Sequence, residues 1–257
     1  MIYFSNTGNT KLACEYIKKH LTNIELELAD LKRAKPIDLS AYDLVGFAAW
    51  ADYGAPSLLI NEYFDSLPEQ HGKPAFVFNT FGMMNGGTLK GLHGRAIKAG
   101  FNVAAAFALH TPENIPLMIA KGFTSEGAPN RHEMEKFQTF IKDIDWICLE
   151  IKAGQAVKKS VHFGLLDHFS PFPRTKAKKD MGEKFVDQAL CTKCGICKKE
   201  CPYAAIELRP YPVFDQEKCY GCWTCYNRCP QKAIYTKKFR GQWHYPKPSE
   251  ALAKKLG

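Results

Sequence analysis

Apolar residues along the first 152 positions alternate between two rhythms. Ile2 to Phe4 is a short apolar run, and Leu12, Ala13, Tyr16, Ile17 and Leu21 follow at helical spacing. Ile24 to Leu28 alternates apolar and acidic positions, which predicts an edge strand. Leu44 to Ala49 is apolar throughout, as a strand covered on both faces should be. Leu58 to Phe64 predicts a helix, and Ala75 to Phe78 a strand bracketed by Pro74 and Asn79-Thr80. Leu89, Leu92, Ala96 and Ala99 mark a helix that stops at Gly100, and Val103 to Leu109 a further strand. The last helix places Met134, Phe137, Ile141, Ile144, Cys148 and Ile151 on one face, with Asn130 and Glu133 spaced as a capping pair. Five strands alternating with four helices predict an α/β fold, an open parallel sheet with helices on both faces.

The rhythm breaks after residue 152. Residues 153–180 read as a linker, with Gly154, Lys158-Lys159 and Ser170-Pro-Phe-Pro173. Phe163, Leu165, Leu166 and Phe169 are too apolar to stand in water and should lie against one or both domains. Residues 181–239 form a small cysteine-rich domain. The tail, 240–257, carries Trp243, Tyr245, Pro246 and Pro248 and should fold back over it.

Within 181–239 one pattern occurs twice. Cys191, Cys194, Cys197 and Cys201-Pro202 recur as Cys219, Cys222, Cys225 and Cys229-Pro230, every cysteine displaced by 28 residues, and Ala205-Ile206 recurs as Ala233-Ile234. Three cysteines at gaps of two wrap three corners of an iron–sulfur cube. The fourth, before a proline, serves the other cube. This assigns Cys191, Cys194, Cys197 and Cys229 to one [4Fe-4S] cluster, and Cys219, Cys222, Cys225 and Cys201 to a second. Disulfides would need an oxidising compartment, and nothing at the N-terminus resembles a signal peptide. Zinc sites use paired Cys-x2-Cys units. Unligated thiols would not repeat at one offset. The stretch resembles a bacterial-type ferredoxin with two four-iron clusters. Cys14 and Cys148 fall outside the pattern and read as small buried hydrophobes.

A second candidate site follows the first strand: Ser5-Asn6-Thr7-Gly8-Asn9-Thr10. Backbone N–H groups at a helix N-terminus hold anions, and three hydroxyls with a glycine suit a phosphate. The loop has no lysine, which favours a monoester phosphate over a triphosphate. A Ser-, Thr- and Asn-rich helix cap is the plainer alternative. The loop resembles that of flavodoxins, usually Ser/Thr-x-Thr-Gly-x-Thr, and matches it at Ser5, Thr7, Gly8 and Thr10. That resemblance implies a flavodoxin-like five-stranded parallel sheet, bound FMN and two loops around the flavin ring. The first loop would supply Trp50, Tyr53 and Gly54. The second would supply Asn79, Thr80, Phe81, Gly82 and Gly87. His110 to Asn114 would reach the same site from a third loop. The whole chain resembles the flavodoxin–ferredoxin fusions of anaerobic prokaryotes, often described as EFR1-like ferredoxins. It departs from ordinary flavodoxins in its basic charge and in Pro112-Glu113-Asn114.

The net charge is +9. No nucleic-acid-binding pattern accompanies it. The plainer reading is solvated lysines around the linker; the functional one is redox protein partners with acidic docking surfaces, rather than DNA or RNA. No apolar run reaches the roughly 18 residues of a membrane span, and ten cysteines suggest a reducing cytoplasm. Two functions compete. An electron carrier would pass electrons between two [4Fe-4S] clusters and FMN, with no catalytic residue. A flavin-dependent reductase would pass them to a small molecule such as a quinone, an aromatic or a nitro compound, with His93, His110, Tyr53 or Glu113 supplying protons.

Overall fold

The computed structural model describes residues 1–33, 37–157, 161–168 and 172–257. Lys158, Lys159, Phe169, Ser170 and Pro171, and the side chains of Leu166 and Arg174, lie outside the described residues.

In chain order the first part comprises β1 (Ile2–Tyr3), α1 (Asn9–His20), β2 (Ala29–Asp30), β3 (Val45–Asp52), β4 (Ala55–Pro56) and α2 (Leu58–Ser66). It continues with β5 (Pro74–Phe81), α3 (Thr88–Lys98), β6 (Asn102–His110), α4 (Pro116–Ala120) and α5 (Arg131–Lys152). Five strands lie parallel in the order β2-β1-β3-β5-β6, and β4 folds back antiparallel on the end of β3. This is the flavodoxin-like order, which reverses beside β1 and so opens a crevice at the strand ends there.

The continuous apolar strands behave as expected. Phe76 and Phe78 face the layer that holds Ala13, Ile17, Phe137 and Ile144, while Val77 between them faces Ile60, Phe64 and Leu92. Alternate residues thus serve opposite faces of one sheet, each covered by helices. The cap of α5 forms as predicted, with Glu133 N donating to Asn130 Oδ1 at 2.9 Å and Asn130 N donating to Glu133 Oε2 at 2.6 Å. Ile24 to Leu28 is not a strand. The two residues of β1 pair instead with Ala29 and Asp30, so the ladder begins after the alternating stretch, and Leu26 packs into the core from a loop.

The second part comprises α6 (Arg174–Met181), β7 (Lys184–Val186), α7 (Ile196–Glu200), β8 (Ile206–Arg209), β9 (Tyr211–Phe214), α8 (Thr224–Arg228), β10 (Ile234–Thr236) and α9 (Glu250–Leu256). β7 pairs with β10 and β8 with β9, both antiparallel. The pairings obey the cysteine offset: Val186 opposes Ile234 as Phe214 opposes Ile206. The repeat is therefore an entire strand–loop–helix–strand unit.

Two expectations need correction. The segment read as linker folds over its last residues into α6, and Leu165 is 86 % exposed although Phe163 packs beside His93. The tail does not stop at the cysteine-rich domain. His244 stacks on Tyr226, and then α9 sinks Leu252 and Leu256 into the core beside α1. Amphipathic α9 finds there a larger apolar face than the small domain offers. No helix among the described residues is long and apolar enough to cross a membrane.

Candidate cofactor sites

A cleft of about 690 Å³ opens at the strand ends beside β1. Its floor is the loop before α1 and the first residues of that helix, where Ser5, Asn6, Thr7, Asn9 and Thr10 all line the cleft and all are buried. Gly8 belongs to the same loop but turns away from the cleft. Its φ is +115°, and a Cβ there would lie 2.8 Å from Pro248 Cδ. Ser5 Oγ accepts from Lys11 N, and Thr10 Oγ1 shares a 2.8 Å hydrogen bond with Thr80 Oγ1. The first-turn N–H groups of a helix have no acceptor within the helix. The loop therefore aims donors into the cleft.

Trp50, Tyr53 and Gly54 line one wall, and Thr80, Phe81 and Gly82 another. Among the described residues Trp50 Nε1 and Asn6 Oδ1 are buried without a hydrogen-bond partner, as expected of walls shaped around a polar ligand. Asn79 and Gly87 do not line the cleft. Asn79 Nδ2 donates to Asn85 Oδ1 at 2.8 Å and braces the loop from behind, and Gly87 caps α3. The third loop does reach the site, through Thr111 to Ile115. Glu113 is its hub: Oε2 accepts from Met83 N at 3.1 Å, and Oε1 from Asn114 N and Ile115 N at 2.8 and 2.9 Å. Gly82 permits this, since a Cβ there would stand 2.5 Å from Glu113 Oε2. Of the candidate proton donors, Tyr53 and Glu113 line the cleft, His110 stacks on Phe81 and bonds Glu133 at 3.1 Å, and His93 packs against Phe163 instead.

The eight repeat cysteines sort into two cavities. Cys191, Cys194, Cys197 and Cys229 line one of about 360 Å³, and Cys219, Cys222, Cys225 and Cys201 another of about 330 Å³. The fourth cysteine of each run stands with the other run, as the ferredoxin spacing implies. Burial, helped by nearby Cys229, Cys194 and Cys191, pushes the Cys197 thiol up to about 11, and burial raises the Cys225 thiol well above its ordinary value. Thiolates crowded in this way need cationic compensation, which iron would give. Among the described residues no three His, Cys, Asp or Glu side chains are placed to hold a single metal ion. Ala205 N donates to Cys201 Sγ at 3.4 Å, and Ala233 N to Cys229 Sγ at 3.3 Å. Cys14 and Cys148 are buried in the α/β core with thiols raised by burial, as small hydrophobes should be.

The second quartet abuts the cleft. Asn6 Nδ2 donates to Cys222 O at 3.3 Å. Asn227 Nδ2 donates to Asn114 O at 2.9 Å, and Asn114 Nδ2 to Thr7 Oγ1 at 2.9 Å. Tyr245 of the tail reaches Asn9 Oδ1 through its hydroxyl at 3.0 Å. Trp223, buried, lines the second cavity and packs in one cluster with Tyr226, Phe239, Met181 and the cleft residue Ile115. At the rim, Glu200 pairs with Lys32 at 3.3 Å and Arg33 at 2.5 Å. Burial alone would raise its carboxyl, but Lys32, Arg33 and Arg228 hold it below the usual value. Sequence reasoning missed Trp223, Lys184 and the asparagine chain. Extending the 28-residue offset upstream would have found Lys184, because Asp187-Gln188 recurs as Asp215-Gln216.

Comparison with known proteins agrees with this anatomy. Residues 1–101 match the family model of a flavodoxin domain, and residues 190–233 that of a 4Fe-4S dicluster domain. No curated protein matches the chain. Similar solved structures include a flavodoxin from the domain Archaea, 16% identical over 57% of this chain and 94% of that one, TM-score 0.43. Another is a short-chain flavodoxin associated with a PDU bacterial microcompartment, also 16% identical, covering 57% and 95%, TM-score 0.41. Flavodoxin 1 from Bacillus cereus is 21% identical, covering 56% and 93%, TM-score 0.38. The chain thus joins a flavodoxin domain to a 4Fe-4S dicluster domain, and its chemistry is that of flavin and iron–sulfur electron transfer.

Proposed function

We propose that the chain is an electron carrier, a fusion of the EFR1-like kind, with FMN in the cleft and a [4Fe-4S] cluster in each cysteine-lined cavity. Bound there, FMN would exchange one or two electrons and each cluster one. The N-terminus of α1, with the Ser5, Thr7 and Thr10 hydroxyls, would hold the phosphate. Trp50, Tyr53 and Phe81 would flank the ring, an aromatic face on a planar group. Asn79 and Gly87 would act from behind, by holding the second loop in shape. The observation that carries the reading is the shared wall, where Asn6 of the phosphate loop bonds the backbone of the cluster ligand Cys222. Two redox centres held by one hydrogen-bonded seam need no docking step between them.

The other quartet faces outward. Cys194 is exposed, and exposed Lys193, Lys198, Lys199 and Lys232 stand around it on the elements that form its cavity. This surface suits an acidic redox protein, steered in by charge. The carrier reading is favoured over the small-molecule reductase because Glu113 is committed to three backbone donors and His93 to Phe163. All ten cysteines are unpaired, which supports a reducing, cytoplasmic setting. Anaerobic purification, with iron, sulfide and flavin counted, tests the proposal. About eight irons and one FMN per chain are expected. Four irons or fewer, zinc, or no uptake of added FMN would overturn it.

A further inference from the structure

Lys184 and Pro212 hold the same place in the two repeats. They are 28 residues apart, and their strands pair alike, Lys184 opposite Thr236 and Pro212 opposite Leu208. Each lines one cysteine cavity: Lys184 the inner, beside the cleft, and Pro212 the outer. The exchange introduces a charge. Lys184 is only 3 % exposed, and its ammonium donates to Cys219 Sγ at 3.0 Å. Gln216 fixes its backbone from both sides, accepting from Lys184 N at 3.3 Å and donating to Lys184 O at 2.9 Å. No carboxylate among the described residues pairs with the ammonium. A second difference has the same sense. The Thr224 hydroxyl lies 3.2 Å from Cys222 Sγ, whereas the matching outer residue is Ile196, a side chain without a polar group. The backbone donors from Ala205 and Ala233 are common to both quartets and cancel from the comparison.

A reduced cluster carries more negative charge than an oxidised one, so a buried cation and an added sulfur donor favour reduction. We propose that Lys184, assisted by Thr224, holds the inner cluster at a higher reduction potential than the outer. An electron delivered by a one-electron redox protein at the exposed outer cluster then settles beside the flavin. In this step the outer cluster loses one electron and the inner gains it; no bond forms or breaks and no proton moves. The inference rests on the two-cluster reading above, and Lys184 acts as a tuning residue rather than a ligand.

The test is an anaerobic potentiometric titration of the holoprotein followed by EPR, with iron and FMN counted on the same samples. Two waves are expected. Cys194→Ser, which alters an outer ligand, should change the lower one. Lys184→Met should shift the upper wave alone, lowering the inner-to-outer electron partition at least about tenfold, about 59 mV for one electron. Lys184→Arg, which keeps the charge, should stay near native, and Thr224→Val should shift the upper wave the same way by less. A native protein with about eight irons but coincident waves, or with the upper wave altered by Cys194→Ser, overturns the proposal. So does Lys184→Met with full iron and both waves in place. Should Lys184→Met lose iron, Thr224→Val decides: an unmoved upper wave rejects the scheme. Low iron in the native protein is a different failure and refutes the two-cluster reading itself.

Discussion

The outer and inner cysteine quartets are built from one repeated stretch, yet Cys194 of the outer is exposed while Cys222 and Cys225 of the inner stand beside buried Trp223, Thr224 and Lys184. Local backbone is conserved between them. Gly195 and Trp223, 28 residues apart, both cap their helices in the left-handed region, at φ 75° and 63°. Glycine adopts that conformation freely, whereas Trp223 holds it at a cost of about 1–2 kcal/mol, offset by burial against Tyr226, Phe239 and Ile115. Cysteine spacing thus sets the geometry of each loop, and its neighbours decide whether the quartet faces solvent or the seam with the first domain. The inner repeat spends its variable positions on the seam with the flavodoxin domain, and the outer leaves its own to solvent and lysine.

Removing one ligand from each quartet gives the largest expected effects. Cys225→Ala deletes a buried inner ligand and should lose the inner cluster's iron and the cooperative melt of the second domain. Cys194→Ala, on the exposed outer loop, should lose outer iron and leave the cleft's FMN affinity within about twofold, since its surroundings do not touch the cleft. Iron counts with a thermal melt distinguish them; equal damage to both domains from either change would erase the contrast. Next comes the capping pair. Trp223→Ala should cost about 3–5 kcal/mol in chemical denaturation, and Gly195→Ala only about 1–2 kcal/mol, through its φ alone.

The rim pair sharpens the contrast further. Glu200 and Arg228 are repeat-mates that meet at 3.7 Å, but only Glu200 is enclosed by Lys32 and Arg33 of the other domain. Glu200→Gln should destabilise the chain by about 3 kcal/mol, the range for breaking a buried pair. The folded Glu200 carboxyl sits below its ordinary 4.5. Its contribution is therefore fully present above that value and fades as pH falls through the folded value. A denaturation series from neutral pH downward should show the native and Glu200→Gln proteins converging in acid. The smallest effect belongs to the cleft. Thr10→Ala should weaken FMN by about 1 kcal/mol, roughly fivefold, with iron unchanged; fluorescence titration and an iron assay on one sample check both halves.

How far the sequence could be read follows from the length scale of each cause. Strands β3 and β5 were legible because a sheet covered on both faces demands apolar runs such as Leu44 to Ala49. Ile24 to Leu28 misled because alternation reports a half-buried extended chain, and the hydrogen-bond ladder that makes a strand was placed by its partner β1, at Ala29 and Asp30. The loops around the cleft were legible at Ser5 to Thr10 and at Trp50, Tyr53, Thr80 and Phe81. The roles of Asn79 and Gly87 as braces were not, because facing a cleft or backing its wall depends on side-chain direction.

By itself the sequence determined the covalent and periodic features: the alternation of buried strands and helices, the phosphate-type loop and the two thiol sets, whose spacing is the one a rigid inorganic cube requires. Only the tertiary structure decided which quartet meets the cleft, that the tail crosses to the first domain, and that Lys184 lies on a cysteine sulfur. These depend on contacts such as Asn6 with Cys222, 216 residues apart, and Tyr245 with Asn9, 236 apart. No local pattern encodes such pairs, because they form only when two separately patterned surfaces exclude water from each other.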